Sequence, residues 1–296
     1  EERGFRGIGR LAGLAYCKRM TILTSAKGEE TKTELIWDAE KLRKLIHDHD
    51  DKYTAENVIQ QITTFTQCEE DANSHYYNVC LEGVDDDSLL NSEQIKTYLE
   101  LVAPSPFMST FIFSNIIRET FTSESMELRD YKIYVNNEQI FKPYRTHLYE
   151  ISGSHERSIA EILEVRIKNF YLDNRLIAIC WYSITNPLQL IKVCNPFGIR
   201  LRKGNIQIGD KYTLQPLYNE ARFHKYFVGE LHVVADDCVP NGQRDYFEDT
   251  RTFRKLEKDI RAFTHDLETL CRKASDLSAS FKKIEEHELS KIEYDK

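Results

Sequence analysis

The chain of 296 residues is long enough for two domains and a sizeable core, and its composition is globular: 41% hydrophobic, 30% charged, with 16 Tyr and 15 Phe. A formal net charge of −8 argues against a general nucleic-acid or membrane-surface binder, since both need a basic footprint. No apolar run has the length of a membrane span, and no basic-then-apolar signal peptide opens the chain. The seven cysteines (Cys17, Cys68, Cys80, Cys180, Cys194, Cys238, Cys271) never form a C-x-x-C pair. They read as buried free thiols in a reducing, cytoplasmic setting rather than as disulfides or a zinc site.

In chain order, the first thirteen residues carry Gly4, Gly7, Gly9 and Gly13 and run into apolar Leu11, Ala12, Leu14 and Ala15. Glycines let backbone N–H groups approach an anion, and such a loop feeding a helix start suits a phosphate. Arg19–Ser25 reads as a buried strand, Thr33–Trp37 as a second, and Ala39–His47 as a short amphipathic helix. Strands are expected at Val58–Thr66 and His75–Glu82, joined by the polar, hairpin-like turn Glu69–Ser74. Ser92–Val102 reads as a helix, and Pro104-Ser-Pro106 stops it and marks a domain boundary.

Beyond that boundary, strands are expected at Tyr131–Val135, Ala160–Tyr171, Arg175–Ile184, Gly198–Ile208 and Val228–Val234, with turns at Asn136-Asn137 and Asp173-Asn174. Dense strands with few intervening helices predict an α+β fold. From Phe253 to Ile284 apolar residues recur at alternating spacings of three and four, a heptad register that predicts one long helix. The pattern suits packing on a sheet as well as self-association, including a homodimer.

Among residues with chemistry, Gly7-x-Gly9-x-x-x-Gly13 matches neither the dinucleotide fingerprint nor a Walker A loop. Arg200 and Arg202 alternate with Ile199 and Leu201, so both cations leave one face of a strand; that pattern reads as a half-solvated strand. Arg244, in Pro240-Asn-Gly-Gln-Arg-Asp-Tyr-Phe-Glu248, lies in a loop before the long helix, where a guanidinium suits a phosphate or a surface pair with Asp245 or Glu248. His47-Asp48-His49-Asp50 reads as a solvated helix end, and Asp85-Asp86-Asp87-Ser88 as a solvated turn rather than a metal loop.

In this order, these pieces resemble the ATPase superfamily that joins DNA gyrase, the heat shock protein 90 chaperones, histidine kinases and the MutL mismatch-repair proteins. Gly4-Phe-Arg-Gly-Ile-Gly-Arg-Leu-Ala-Gly13 resembles the glycine box at that superfamily's nucleotide lid, and the Gly4–Gly7 tetrad is close to its mismatch-repair form. The chain after Pro106 resembles the middle, or transducer, domain of the heat-shock branch. Asn241-Gly-Gln-Arg244-Asp245 is similar to the motif whose arginine reaches the γ-phosphate, and Arg200–Asp210 resembles the preceding strand pair in bacterial heat shock protein 90-like ATP-binding proteins.

The resemblance implies the C-terminal half of a Bergerat-type ATP-binding sandwich over residues 1–103, a transducer domain of the ribosomal S5 domain 2-like type over 104–250, and a long helix over 251–296. It implies ATP with Mg²⁺ as ligand, bound through Gly4, Gly7, Ile8, Gly9, Arg10 and Gly13, with Arg244 catalytic. The general-base Glu, the metal-ligand Asn and the adenine-reading Asp-x-Gly-x-Gly have no match here, and Ser74–Asn78 stands where a Gly-Thr strand motif is expected. The metal ligand is therefore expected upstream, and this polypeptide alone is expected to hydrolyse ATP negligibly. The implied function is the energy-transducing portion of a chaperone-like conformational ATPase, acting on a client or partner protein. The alternatives are a non-catalytic interaction module with a degenerate ATPase fold, or a DNA-linked ATPase in which Arg200 and Arg202 meet phosphates.

Overall fold

Alternation of apolar and polar side chains organises the first sheet. Met20 and Ile22 of β1 (Arg19–Ser25) share a face, and the antiparallel register sets them beside Trp37 and Leu35 of β2 (Thr31–Asp38). The computed structural model describes residues 8–47, 54–152, 155–186 and 196–294. Its contacts divide the chain into two units, residues 1–95 and 96–296.

In the first unit β3 (Thr63–Glu69) flanks β2 and β4 (Tyr76–Glu82) flanks β1, giving the antiparallel order β3-β2-β1-β4. Its core joins Met20 and Ile22 to Leu14, Cys17 and Ala39. Helix α1 (Ala39–His47) starts where Asp38 Oδ1 accepts the Lys41 N–H at 2.8 Å, a side-chain cap on an otherwise unpaired donor. The Arg43 guanidinium donates to the carbonyls of Leu14 (3.1 Å) and Cys17 (2.9 Å) and ties the 3₁₀ helix Ile8–Ala15 to α1.

Two expectations for this unit are corrected. The stretch expected as a strand from Val58 is helical to Ile62: α2 (Ala55–Ile62) is capped by Thr54, whose Oγ1 accepts the Asn57 N–H at 3.3 Å. The cap and the four-residue spacing of Val58 and Ile62 override the β-branched side chains until Thr63. The turn over Glu69–Ser74 joins no hairpin, because β3 and β4 lie at opposite edges of the sheet. It crosses the tip of the β1–β2 hairpin instead, with Glu70 N–H donating to Glu30 O and Gly28 N–H to Ala72 O. Helix α3 (Ser92–Val102) carries the division between the units.

The second unit is built on a seven-stranded sheet of order β12-β11-β13-β10-β8-β7, with β9 also pairing β10. These strands are β7 (His147–Ser152), β8 (His155–Ile162), β9 (Arg166–Leu172), β10 (Arg175–Asn186), β11 (Gly198–Lys203), β12 (Ile206–Gln207) and β13 (Phe227–Val233). A small hairpin, β5 (Ile133–Val135) with β6 (Glu138–Ile140), precedes them. Asn136-Asn137 and Asp173-Asn174 all have positive φ, the backbone of a two-residue hairpin turn. The single strand expected over Ala160–Tyr171 is two: β8 ends at Ile162 and pairs β10 only at its far end, and β9 pairs the body of β10. β11 and β13 are parallel, joined by a crossover through β12 and two 3₁₀ turns.

Both faces of the central strands β10, β11 and β13 are buried. On one, Cys180, Ile199, Leu201 and Leu231 meet Phe253, Leu256, Ile260, Phe263 and Leu267 of α5 (Arg251–Tyr294). On the other, Trp181 and Val228 meet Phe107, Phe111, Tyr144, and Ile117 and Phe121 of α4 (Ser114–Ser123). The buried stripe of α5 moves from Leu267 to Cys271 and leaves Leu270 half-buried. That drift follows the natural 3.6-residue turn of a straight helix on a sheet rather than the heptad of a supercoil.

Of the six described cysteines, Cys17, Cys180, Cys238 and Cys271 are buried free thiols, and Cys68 and Cys80 are exposed, because β3 and β4 are edge strands with open faces; Cys194 lies outside the described residues. Among the described residues no helix is long and apolar enough to cross a membrane.

Candidate functional site

The Arg244 loop grows from two anchors. Phe247 is buried and stacks on Phe253 at the start of α5 (centroids 4.7 Å apart), and Tyr246 meets the same ring edge-on at 5.0 Å while its hydroxyl donates to Glu257 Oε1 at 3.2 Å. Between them the backbone folds back on itself. Asn241 N–H donates to Tyr246 O at 3.0 Å, Glu248 N–H to Val239 O at 2.9 Å, and Arg244 N–H to Asn241 O at 3.1 Å. The tip, Gly242-Gln243-Arg244, is exposed.

Arg244 has φ +57. A non-glycine residue there costs about 1–2 kcal/mol, so its surroundings must impose the conformation. They do so through the Asn241 carbonyl and through Gly209, whose N–H donates to the Arg244 carbonyl at 2.8 Å. The result is a permanent cation on an exposed tip with a fixed backbone, an arrangement suited to a phosphate.

Arg200 and Arg202 are not on a half-solvated strand, which corrects the reading of their alternation. They are 1% and 0% exposed, because β11 is covered on both faces. The register places Arg200 opposite Glu230 and Arg202 opposite His232 on β13, and Glu230 opposite Trp181 on β10. Glu230 is the hub. Arg202 Nε lies 2.5 Å from its Oε1, Lys142 Nζ donates to both oxygens at 2.7 and 2.9 Å, and Trp181 Nε1 donates to Oε2 at 3.3 Å. His232 Nε2 approaches Oε2 at 3.0 Å. Arg202 also donates to the carbonyls of Asn205 (3.0 Å) and Leu101 (2.6 Å), which ties the end of α3 to the sheet.

Burial would raise the Glu230 carboxyl, but the charges of Arg202 and Lys142 and the contact with His232 hold it well below the usual carboxylate range. Burial and the neighbouring Arg202 push Lys142 down to about 7 against the pull of Glu230. Burial likewise brings His232 to about 4. With every member nearly or fully buried, this cluster ties elements together and offers no access to a substrate. Sequence reading missed Lys142, Glu230 and His232. The usable signal was that β11 and β13 both alternate charged with apolar residues, as two buried strands do when their polar faces pair.

In the first unit, Gly4 and Gly7 lie outside the described residues, as do the side chains of Ile8 and Arg10. Gly9 is the second residue of the 3₁₀ helix and has open space around it among the described residues, whereas a Cβ on Gly13 would stand 2.8 Å from Leu81 Cδ2, the tip of an exposed side chain. Packing therefore requires glycine at neither position, since the exposed Leu81 tip can turn aside. Lys18, Glu40, Arg43, Lys44, His47 and Asp85 line an open cleft of about 590 Å³. Of His47-Asp48-His49-Asp50 only His47 is described. Asp86 caps the 3₁₀ turn Asp87–Leu90 by accepting from Ser88 N–H at 2.9 Å. Among the described residues no three His, Cys, Asp or Glu side chains gather to hold a metal. The glycine segment belongs to the first unit and Arg244 to the second.

No protein-family model matches the chain. No curated protein matches its sequence either.

Proposed function

We propose that this chain is the nucleotide-lid and transducer portion of an ATP-dependent conformational ATPase of the superfamily that joins gyrase, the heat shock protein 90 chaperones, histidine kinases and MutL, nearest its bacterial heat shock protein 90-like members. In this reading residues 1–103 are the later half of a Bergerat-type sandwich, with the glycine segment as lid over the phosphates of Mg²⁺-bound ATP. The second unit is the transducer, and the Arg244 guanidinium meets the γ-phosphate and couples its presence to the sheet behind the loop. The observation that carries the reading is Arg244 itself: an exposed arginine at φ +57, on a tip braced by Tyr246, Phe247 and Gly209. Strain of that kind gathers where a side chain must be aimed.

The test is turnover by the full-length gene product. Arg244→Ala is expected to lower kcat by roughly tenfold or more with little change in KM, as for a contact made in the transition state. An unchanged kcat returns Arg244 to the role of a surface cation.

One observation favours a second reading, a non-catalytic interaction module. Where the superfamily has Gly-Thr, Ser74 is engaged in the turn: its carbonyl accepts from Ser25 Oγ and its hydroxyl reaches Glu70. Full-length protein that binds no nucleotide would favour that reading over the first. The DNA-linked alternative loses its proposed carriers, because Arg200 and Arg202 are buried.

A further inference from the structure

The backbone of Arg244 is held from inside the second unit by three consecutive hydrogen bonds. Arg200 Nη1 donates to Gln207 Oε1 at 3.2 Å, Gln207 Nε2 donates to the Gly209 carbonyl at 3.0 Å, and Gly209 N–H donates to the Arg244 carbonyl at 2.8 Å. Arg200 and Gln207 are 1% and 6% exposed, so this path starts in the interior and ends at the exposed tip. Gly209 has φ +66, and a Cβ there would stand 2.0 Å from Thr213 Oγ1 and 2.6 Å from the Asp245 carbonyl. Residue 209 is therefore where the loop docks, with no room for a side chain. Arg202 meets backbone carbonyls of Asn205 and Leu101, whereas Arg200 meets a side-chain amide that passes the contact on. The primary amide of Gln207 accepts from the guanidinium through Oε1 and donates to the next carbonyl through Nε2 at once, which a carboxylate cannot do.

We propose that Arg200, Gln207 and Gly209 are positioning residues for Arg244: they lock its left-handed backbone and so aim its guanidinium at a phosphoryl group. The role rests on the reading of Arg244 given above. It explains why a strand buried on both faces retains an arginine in addition to the one that pairs with Glu230.

Gln207→Glu cuts the path at one point. The carboxylate still accepts from Arg200, and more strongly for its charge, but it cannot donate to Gly209. Gly209→Ala breaks the docking by steric means and is the second variant. In the full-length gene product, Gln207→Glu is expected to speed hydrogen exchange at the Gly209 amide by roughly tenfold with the melting temperature retained. It is expected to lower kcat for ATP with Mg²⁺ roughly tenfold with KM nearly unchanged, and to cause no further loss when Arg244 is already Ala. Additive losses in the double variant, or unchanged exchange in both Gln207→Glu and Gly209→Ala, would overturn the proposal. If Arg244→Ala alone leaves kcat unchanged, the phosphate-sensor reading fails and the positioning role falls with it. The exchange data separate that failure from a loop that was never pinned.

Discussion

Arg202 and Glu230 face each other diagonally across the parallel strands β11 and β13, Nε to Oε1 at 2.5 Å, with both side chains 0% exposed. Through this contact and Lys142, the stretch after β6 and the sheet meet at one carboxylate, and Arg202 carries the link on to the end of α3. Two buried cations around one buried anion are costly to disturb from the anion's side, since neither can be rehydrated in place.

Glu230→Gln is therefore expected to destabilise the second unit by about 3–5 kcal/mol, read as a fall in the urea midpoint at unchanged slope. Arg254→Ala, which removes an ion pair with Asp249 whose side chains are 67% and 77% exposed, is expected to shift the midpoint by less than about 1 kcal/mol. Equal effects would mean that the Glu230 cluster is solvated in solution.

Acid should weaken the same unit. Burial brings both His224 and His232 down to about 4 from the usual 6.5, so over that window the unfolded chain binds protons that the folded one does not. Stability contributed by the neutral rings is complete above the unfolded value and is lost as pH falls from about 6.5 towards 4. His224 is the cleaner test: among the described residues neither ring nitrogen has a hydrogen-bond partner, and the ring lies edge-on to Phe197 and Tyr218. His224→Phe is expected to leave the melting temperature at pH 7.5 unchanged or raised and to flatten its decline between pH 6.5 and 4.5. An unaltered decline would contradict this origin.

The seam of α5 can be read by truncation. Phe263 packs edge-on against Phe170 (5.8 Å) and Tyr182 (5.1 Å), and Phe263→Ala is expected to cost about 3–5 kcal/mol. Leu270 is only half-buried, and Leu270→Ala is expected to cost about 1 kcal/mol. A large loss at Leu270 that depends on protein concentration would show the heptad at work between two copies.

Gly13→Ala meets the movable tip of the exposed Leu81 side chain and Gly9→Ala meets open space, so neither is expected to lower the stability of the first unit by more than about 1 kcal/mol. The melting temperature of Gly9→Ala should be that of the parent, while in the full-length gene product its affinity for ATP falls. Unchanged affinity for Gly9→Ala would remove the glycine segment from the nucleotide site.

Local order was largely legible in the sequence where local chemistry decides it. The asparagine turns at 136–137 and 173–174 and the unbroken register from Phe253 mark elements that form as read. What the sequence hid was partner choice. Nothing in the run from Ala160 to Tyr171 shows that β8 and β9 pair different parts of β10, and nothing in Glu69–Ser74 shows that its strands lie at opposite edges. The same blindness put Arg200 and Arg202 in water: a half-solvated strand and one whose cations meet a matched acid alternate identically. Arg244 stood out in the sequence as a loop cation, but its positive φ and its tie to Gly209 are tertiary facts.

The most direct test of the account is a calorimetric titration of ATP with Mg²⁺ into the full-length gene product. The account predicts saturable binding at one site per chain, weakened by Gly9→Ala. The absence of binding at millimolar ATP would contradict it.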